Sequence, residues 1–195
     1  MHHISSALLS IEDLSEILTK NQPLTISEQS KKAITDCYNF LHHKINNSDK
    51  SYYGINTGFG SLCNIKIDAL QLEELQENLV KSHACGMGDL VPQEIIRIIL
   101  FLKIQSLSLG HSAVSLPLVE RLAAMYNTKI LPVLYQMGSL GASGDLAPLA
   151  HLSLPLISEG EVYINNERIK SAVANKKLGW DKIKLQEKEG LAMLN

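Results

Sequence analysis

The chain has 195 residues, with 20 acidic against 18 basic side chains and a formal net charge of −2, enough for one domain with a sizeable core or two small ones at most. Acids and bases are interspersed and aromatic residues make up 5% of the chain, which argues against a nucleic-acid footprint, base-stacking platforms and a polybasic membrane patch. Cys37, Cys63 and Cys85 lack metal-ligand spacing and read as reduced thiols, acids come too early in MHHISSALLSIEDLSEIL for a signal peptide, and the most apolar run, 95–104, is short and interrupted by Arg97 and Lys103. These features predict a cytoplasmic chain with no nucleic-acid, membrane or metal partner.

Ile11, Leu14, Ile17 and Leu18 fall at helical spacing, so the spacing predicts a short amphipathic helix over 10–20, broken by Asn21-Gln22-Pro23. Thr25 and Glu28 stand as a capping box for a second helix, with Ala33, Cys37, Phe40, Leu41 and Ile45 inward. His42 and His43 are adjacent, point in different directions and are expected in solvent. After the loop signal at 46–49 comes SYYGINTGFGSL (51–62), where Gly54, Gly58 and Gly60 interleave with Tyr53, Ile55 and Phe59. That spacing suits neither helix nor packed strand. A surface loop is the plain reading, but aromatics are costly to leave on one, and a lid over a site is the alternative.

Asp68 is the expected cap of a third helix, whose stripe Leu72, Leu75, Leu79 and His83 runs to Cys85-Gly86-Met87-Gly88. On spacing alone, His83 in the last turn reads as a half-buried structural histidine. Pro92 opens a fourth helix, apolar almost all round as far as Gly110, which predicts burial on most sides and neighbours from another domain or subunit; His111 and Ser112 read as its end cap. A fifth helix from Pro117 turns Leu118, Leu122, Ala123 and Met125 inward, and residues 130–134 run extended. Beyond Gly160, Val162, Ile164, Asn165-Asn166 and Ile169 predict a β-hairpin, and 171–178 a helix stopped by Gly179. His2, His3 and His151 lack partners at ligand spacing, and His151 is expected to pack within its own helix.

The most informative stretch is GSLGASGDLAPLAHLSLPLISEG (138–160). Small residues run through Gly144, Asp145 stands where an N-cap belongs, and Pro148 falls in the first turn of the helix that follows. A glycine-rich turn before a buried helix is one reading. A phosphate loop lacks its Gly-Lys-Ser/Thr, and a serine nucleophile elbow fails because Asp145 stands at its last position. The remaining reading is chemical. The unhindered Gly144 nitrogen can close on the Ala142 carbonyl carbon to form a five-membered ring. Loss of one water from that ring and one from Ser143 leaves a methylidene electrophile made from the chain itself.

The string GSLGASGDLAPLAHL closely resembles the signature of the aromatic amino-acid ammonia-lyases, which carry a methylidene-imidazolone (MIO), and within them it is most similar to the histidine ammonia-lyases. YGINTGFG and EGLAMLN resemble the second and third signatures of that family. The resemblance implies a mainly α fold: the N-terminal helical domain of the ammonia-lyase (aspartase/fumarase-like) fold, with loops and a short β-hairpin. It further implies that 1–195 is the MIO-bearing domain and that the family's C-terminal helical bundle is absent. MIO would form from Ala142, Ser143 and Gly144, with no external cofactor. Tyr53 would be the base, a role for which a phenol needs nearby positive charge or hydrogen bonding. Asn195 would bind the electrophile or the substrate carboxylate, and Ser82-His83, which resembles the histidine-specific pattern, would bind the substrate ring. The implied reaction is elimination of ammonia from L-histidine to give urocanate, in histidine breakdown, by a homotetramer. Alternatives are a tyrosine or phenylalanine ammonia-lyase, an MIO aminomutase, and an inactive, truncated assembly domain.

Overall fold

In the computed structural model, which describes residues 1–48, 50–60, 65, 67 and 71–195, the chain is mainly α, as the resemblance implies. Among the described residues eight helices are joined by seven strands of two to four residues. Strands β1 (His2–Ile4) and β2 (Leu24–Ile26) pair in parallel and bracket α1 (Ile11–Thr19). The Ser10 hydroxyl accepts from the Asp13 amide, and the Asp13 carboxylate accepts from Ser10 N, a reciprocal cap. Ile17 is buried, but Ile11, expected inward, is exposed, because the first turn of α1 overhangs the core.

The Thr25–Glu28 box does not form. Thr25 is extended in β2, so α2 (Glu28–Asn46) can begin only after that strand, and Ser27 caps it by accepting from Ser30 N. The buried face of α2 is centred on Ser30 and Ile34, which turns Phe40 outward. His42 is half-buried rather than solvated. Its ring stacks on Tyr38 with centroids 4.0 Å apart, and Nδ1 lies 3.6 Å from the Glu187 carboxylate.

Helix α3 (Leu72–His83) ends on His83, as its stripe predicts; Asp68, its expected cap, lies outside the described residues, as does Cys63. After β3 (Met87–Leu90) comes α4 (Gln93–Leu107), whose Ile96, Leu100, Phe101, Ile104 and Leu107 are buried. Each such side chain contributes roughly 1.5–3 kcal/mol. The helix caps at Ser108, before His111, which is exposed. Burial is not complete all round: Ile95 and Leu102 are 43% and 46% exposed, so one apolar face of α4 is open in this chain. Helix α5 (Leu116–Asn127), with Pro117 in its first turn, adds Leu118, Leu122 and Met125 to the core as expected.

β4 (Leu131–Pro132) and β5 (Tyr135–Met137) lead to the glycine-rich loop, then to α6 (Ala147–Ser153) and a 3-10 turn (Leu154–Ile157). The expected hairpin is β6 (Glu161–Ile164) with β7 (Glu167–Lys170). Ile164 pairs with Glu167 across Asn165 and Asn166, both at positive φ, the two-residue turn that matches strand twist. β4 joins β6 antiparallel, and β3 pairs antiparallel with β5. That second pairing carries the end of α3 alongside the strand that feeds the glycine-rich loop.

After α7 (Ser171–Leu178), stopped by Gly179 in the left-handed region, the last element is α8 (Glu189–Leu194). The fully buried Glu189 carboxylate anchors its start, accepting from Ser115 N and Gln186 N at 2.7 Å each. Gly190 lets it approach α3 closely, since a Cβ there would sit 2.7 Å from the Gln76 carbonyl oxygen. Among the described residues no helix is long and apolar enough to cross a membrane.

Candidate active site

The loop between β5 and α6 is closed at its base by Asp145, whose Oδ1 accepts from Ser139 N at 3.0 Å and Ala147 N at 3.1 Å. Asp145 therefore serves the first turn of α6 from one residue further out than a side-chain N-cap: Leu146 holds the cap position without a side-chain bond. At the tip, Gly144 N donates to Gly141 O at 3.1 Å and Gly141 N to Gly144 O at 3.4 Å, which places Ala142 and Ser143 at the point of a tight turn. Gly144 has φ +82°, and nothing lies within 4 Å of where a Cβ would be. A side chain there would be strained by backbone conformation rather than crowded.

Ser143 faces a cavity of about 580 Å³ that Tyr53, His83 and Asn195 also line. Phe59, Leu79, Leu146, Leu191 and Leu194 supply its apolar wall. Four residues from separate stretches, at 53, 83, 143 and 195, thus meet at one concave surface with few polar groups, the usual form of a small-molecule site. The depressions along α1 contain none of them. Ala142 and Gly144 flank Ser143 at the exposed loop tip and do not line the cavity.

Each polar group is held differently. His83 Nδ1 lies 2.8 Å from Leu79 O and 3.1 Å from Ser82 Oγ, and the Ser82 hydroxyl itself donates to Leu79 O at 2.9 Å. With Nδ1–H donated to that carbonyl, Nε2 is the ring atom left for a ligand. Ser82, expected to bind the substrate, is not brought to the cavity; its hydroxyl braces the His83 ring. Tyr53 is 58% exposed, packs its ring edge-on against Phe59, and its hydroxyl accepts a long bond from Gly60 N at 3.5 Å.

The segment that carries Tyr53 is tied down. Asn56 and Thr57 are buried; Asn56 Oδ1 accepts from Tyr52 N at 2.7 Å, and its amide donates to Lys50 O at 3.0 Å. The spacing leaves a surface loop or a lid open, and the buried Asn56 and Thr57 anchor the base of this stretch. Asn195, the C-cap of α8, donates its side-chain amide to Leu191 O at 3.0 Å.

His151 does not pack within its own helix. It reaches across to accept from Gly86 N at 3.0 Å through Nε2, with its ring set edge-on to Tyr135. Burial holds its pKa below the ordinary histidine value, which preserves the neutral, accepting form. His151 therefore joins the helix after the glycine-rich loop to the segment just beyond His83. Periodicity gave no sign of it, because its partner is a main-chain amide 65 residues away. Asn56 and Thr57 were equally silent, as turn-type residues that turned out to be buried. Among the described residues no group of three or more His, Cys, Asp or Glu converges as metal ligands would.

The sequence matches the family described as aromatic amino acid lyase over residues 9–195. A histidine ammonia-lyase of Legionella pneumophila (strain Lens) is 46% identical over 187 residues, 96% of this chain and 37% of that protein. Among solved structures, the Pantoea agglomerans phenylalanine aminomutase superposes with a TM-score of 0.92 at 30% identity, over 100% of this chain and 37% of its own. The Trypanosoma cruzi histidine ammonia-lyase gives 0.82 at 32% identity, over 94% of this chain and 35% of its own. The chain thus spans little more than a third of the length of these relatives. With the family match running from residue 9 to residue 195, the chain belongs to the aromatic amino acid lyase family.

Proposed function

We propose that residues 1–195 are the N-terminal, MIO-bearing domain of a histidine ammonia-lyase, which removes ammonia from L-histidine without oxidation to give urocanate. The observation that carries this reading is the convergence of Tyr53, His83, Ser143 and Asn195 on one cavity. The loop fits the group it would have to make: residue 144 lacks a Cβ and has open space round it, and Ser143, which carries the β-hydroxyl to be lost, faces the cavity. The methylidene-imidazolone, formed from Ala142, Ser143 and Gly144, supplies the electrophile that makes the substrate amine a better leaving group.

The chain's own residues then divide the remaining work. Tyr53, as its phenolate, takes the substrate β-proton and becomes the phenol. His83 presents Nε2 to the imidazole ring, with its orientation set by Leu79 O and Ser82 Oγ. Asn195 hydrogen-bonds the substrate carboxylate or the loop group from the end of α8. The proposal includes a homotetramer acting in the cytoplasm; the exposed apolar side chains Ile95 and Leu102 on α4 and Leu140 on the loop support only that further chain segments or neighbouring subunits cover these faces.

The mass of the proteolytic peptide that spans Ala142 to Gly144, measured beside urocanate production in a full-length context, tests the reading. A loss of two waters together with urocanate is the expected result; an unmodified peptide in an inactive full-length protein leaves an assembly domain without chemistry. The likeness to the aminomutase favours a second reading, in which the amino group returns to the neighbouring carbon. A β-amino acid product would establish it. Substrate choice is read at His83: His83→Leu should lower kcat/KM for L-histidine about a hundredfold and favour apolar rings, because a polar ring then loses its partner in an apolar pocket. Unchanged selectivity would remove His83 from the substrate site.

A further inference from the structure

Lys103 is the only buried lysine or arginine among the described residues, 5% exposed on the core side of α4. Its surroundings penalise a charge: burial, and then the nearby Lys188 ammonium, pull its pKa down to about 8. Among the described residues no carboxylate pairs with it. Nζ donates instead to two main-chain oxygens, Ala192 O at 2.6 Å and Asn195 O at 2.5 Å. A leucine would suit the surrounding core better, since an ammonium without a carboxylate partner is costly in apolar surroundings.

What the ammonium holds accounts for its presence. Asn195, which follows Leu194 of α8, lines the cavity. The Asn195 amide nitrogen donates to Leu191 O, and Oδ1 has no partner among the described residues. The direction of that side chain depends on where the Asn195 main chain lies, and Lys103 bonds that main chain at Ala192 O and Asn195 O. Glu189 anchors the other end of the same six residues on α5.

We propose that Lys103 is a positioning residue for Asn195: it does not touch the substrate, and it sets the end of α8 so that the asparagine side chain meets the cavity in a working orientation. The inference rests on the lyase reading of the site. Its test is a double-mutant cycle in the full-length protein, with kcat and KM measured for Lys103→Met, Asn195→Ala and the pair. A misplaced asparagine should lower kcat about 10- to 100-fold in Lys103→Met while KM stays within about threefold. Once Asn195 is gone, removing Lys103 should cost no more than about a further twofold, because the two losses are one interaction. Lys103→Arg, which keeps the donors, should restore part of the rate.

A Lys103→Met enzyme with wild-type kcat, or a loss that multiplies in full with that of Asn195→Ala, would overturn the proposal. Should Lys103→Met fail to fold by circular dichroism, Lys103→Gln, which is polar but shorter, makes the same comparison. A wild-type protein with an unmodified 142–144 peptide and no product overturns the lyase reading and this inference with it. Active wild type with independent losses overturns only the role of Lys103.

Discussion

Replacing Ser143 with alanine is expected to abolish the two-water mass loss and to lower turnover on the order of a thousandfold or more, the scale on which the loss of a group used in the chemistry is felt. In the proposed chemistry the hydroxyl is the β-leaving group from which the methylidene comes, and alanine has none. The change should leave the fold intact. Ser143 is exposed at the loop tip, and the turn is held by the Gly141 and Gly144 main chain and by Asp145. Stability should stay within about 0.5 kcal/mol of wild type. Full-length Ser143→Ala that retains turnover would refute the proposed mechanism, and urea unfolding on the same sample would show whether a loss came from the chemistry or from the fold.

Tyr53→Phe carries the second large effect, with kcat expected to fall about 10²–10⁴-fold, the usual contribution of a positioned acid or base. Its structural cost should be small. The ring packs edge-on against Phe59, a contact that phenylalanine keeps, and the hydroxyl accepts only a 3.5 Å bond from Gly60 N. The modified 142–144 peptide should therefore still form, and substrate should still bind with little change in KM. A variant that makes the peptide, binds substrate and turns over at the wild-type rate would take Tyr53 out of the proton transfer. These two substitutions separate the loop chemistry from the proton transfer, since one removes the leaving group and the other leaves it in place.

Much of the local structure was legible in the residues. The stripe Leu72, Leu75, Leu79, His83 ends where α3 ends, the Asn165-Asn166 turn makes its hairpin, and Gly179 stops α7. The errors share one cause. Thr25 has the form of a helix cap, but its main chain is taken by the parallel partner strand β1, and a three-residue strand leaves no periodicity to read. His42 beside His43 reads as surface until Tyr38 and Glu187 close over it. Asp145 was placed at the cap by composition, and the turn of the loop moved it one residue out.

The sequence by itself determined where most of the helices run, and its resemblance to the aromatic amino-acid ammonia-lyases singled out the stretches proposed to bear the chemistry: the small-residue string ending at Gly144, the segment around Tyr53, and the run to Asn195. The helices follow from side-chain size, spacing and local backbone preference, which act over a few residues; the Tyr53 and Asn195 stretches follow from the resemblance. Only the tertiary structure decided that positions 53, 83, 143 and 195 share one cavity, and that His151 grips Gly86, Glu189 caps α5 and Lys103 holds the end of α8. Those are pairings of buried polar groups with distant main-chain atoms. Burial obliges such groups to find partners, and which partner each one finds is set by how the helices come together.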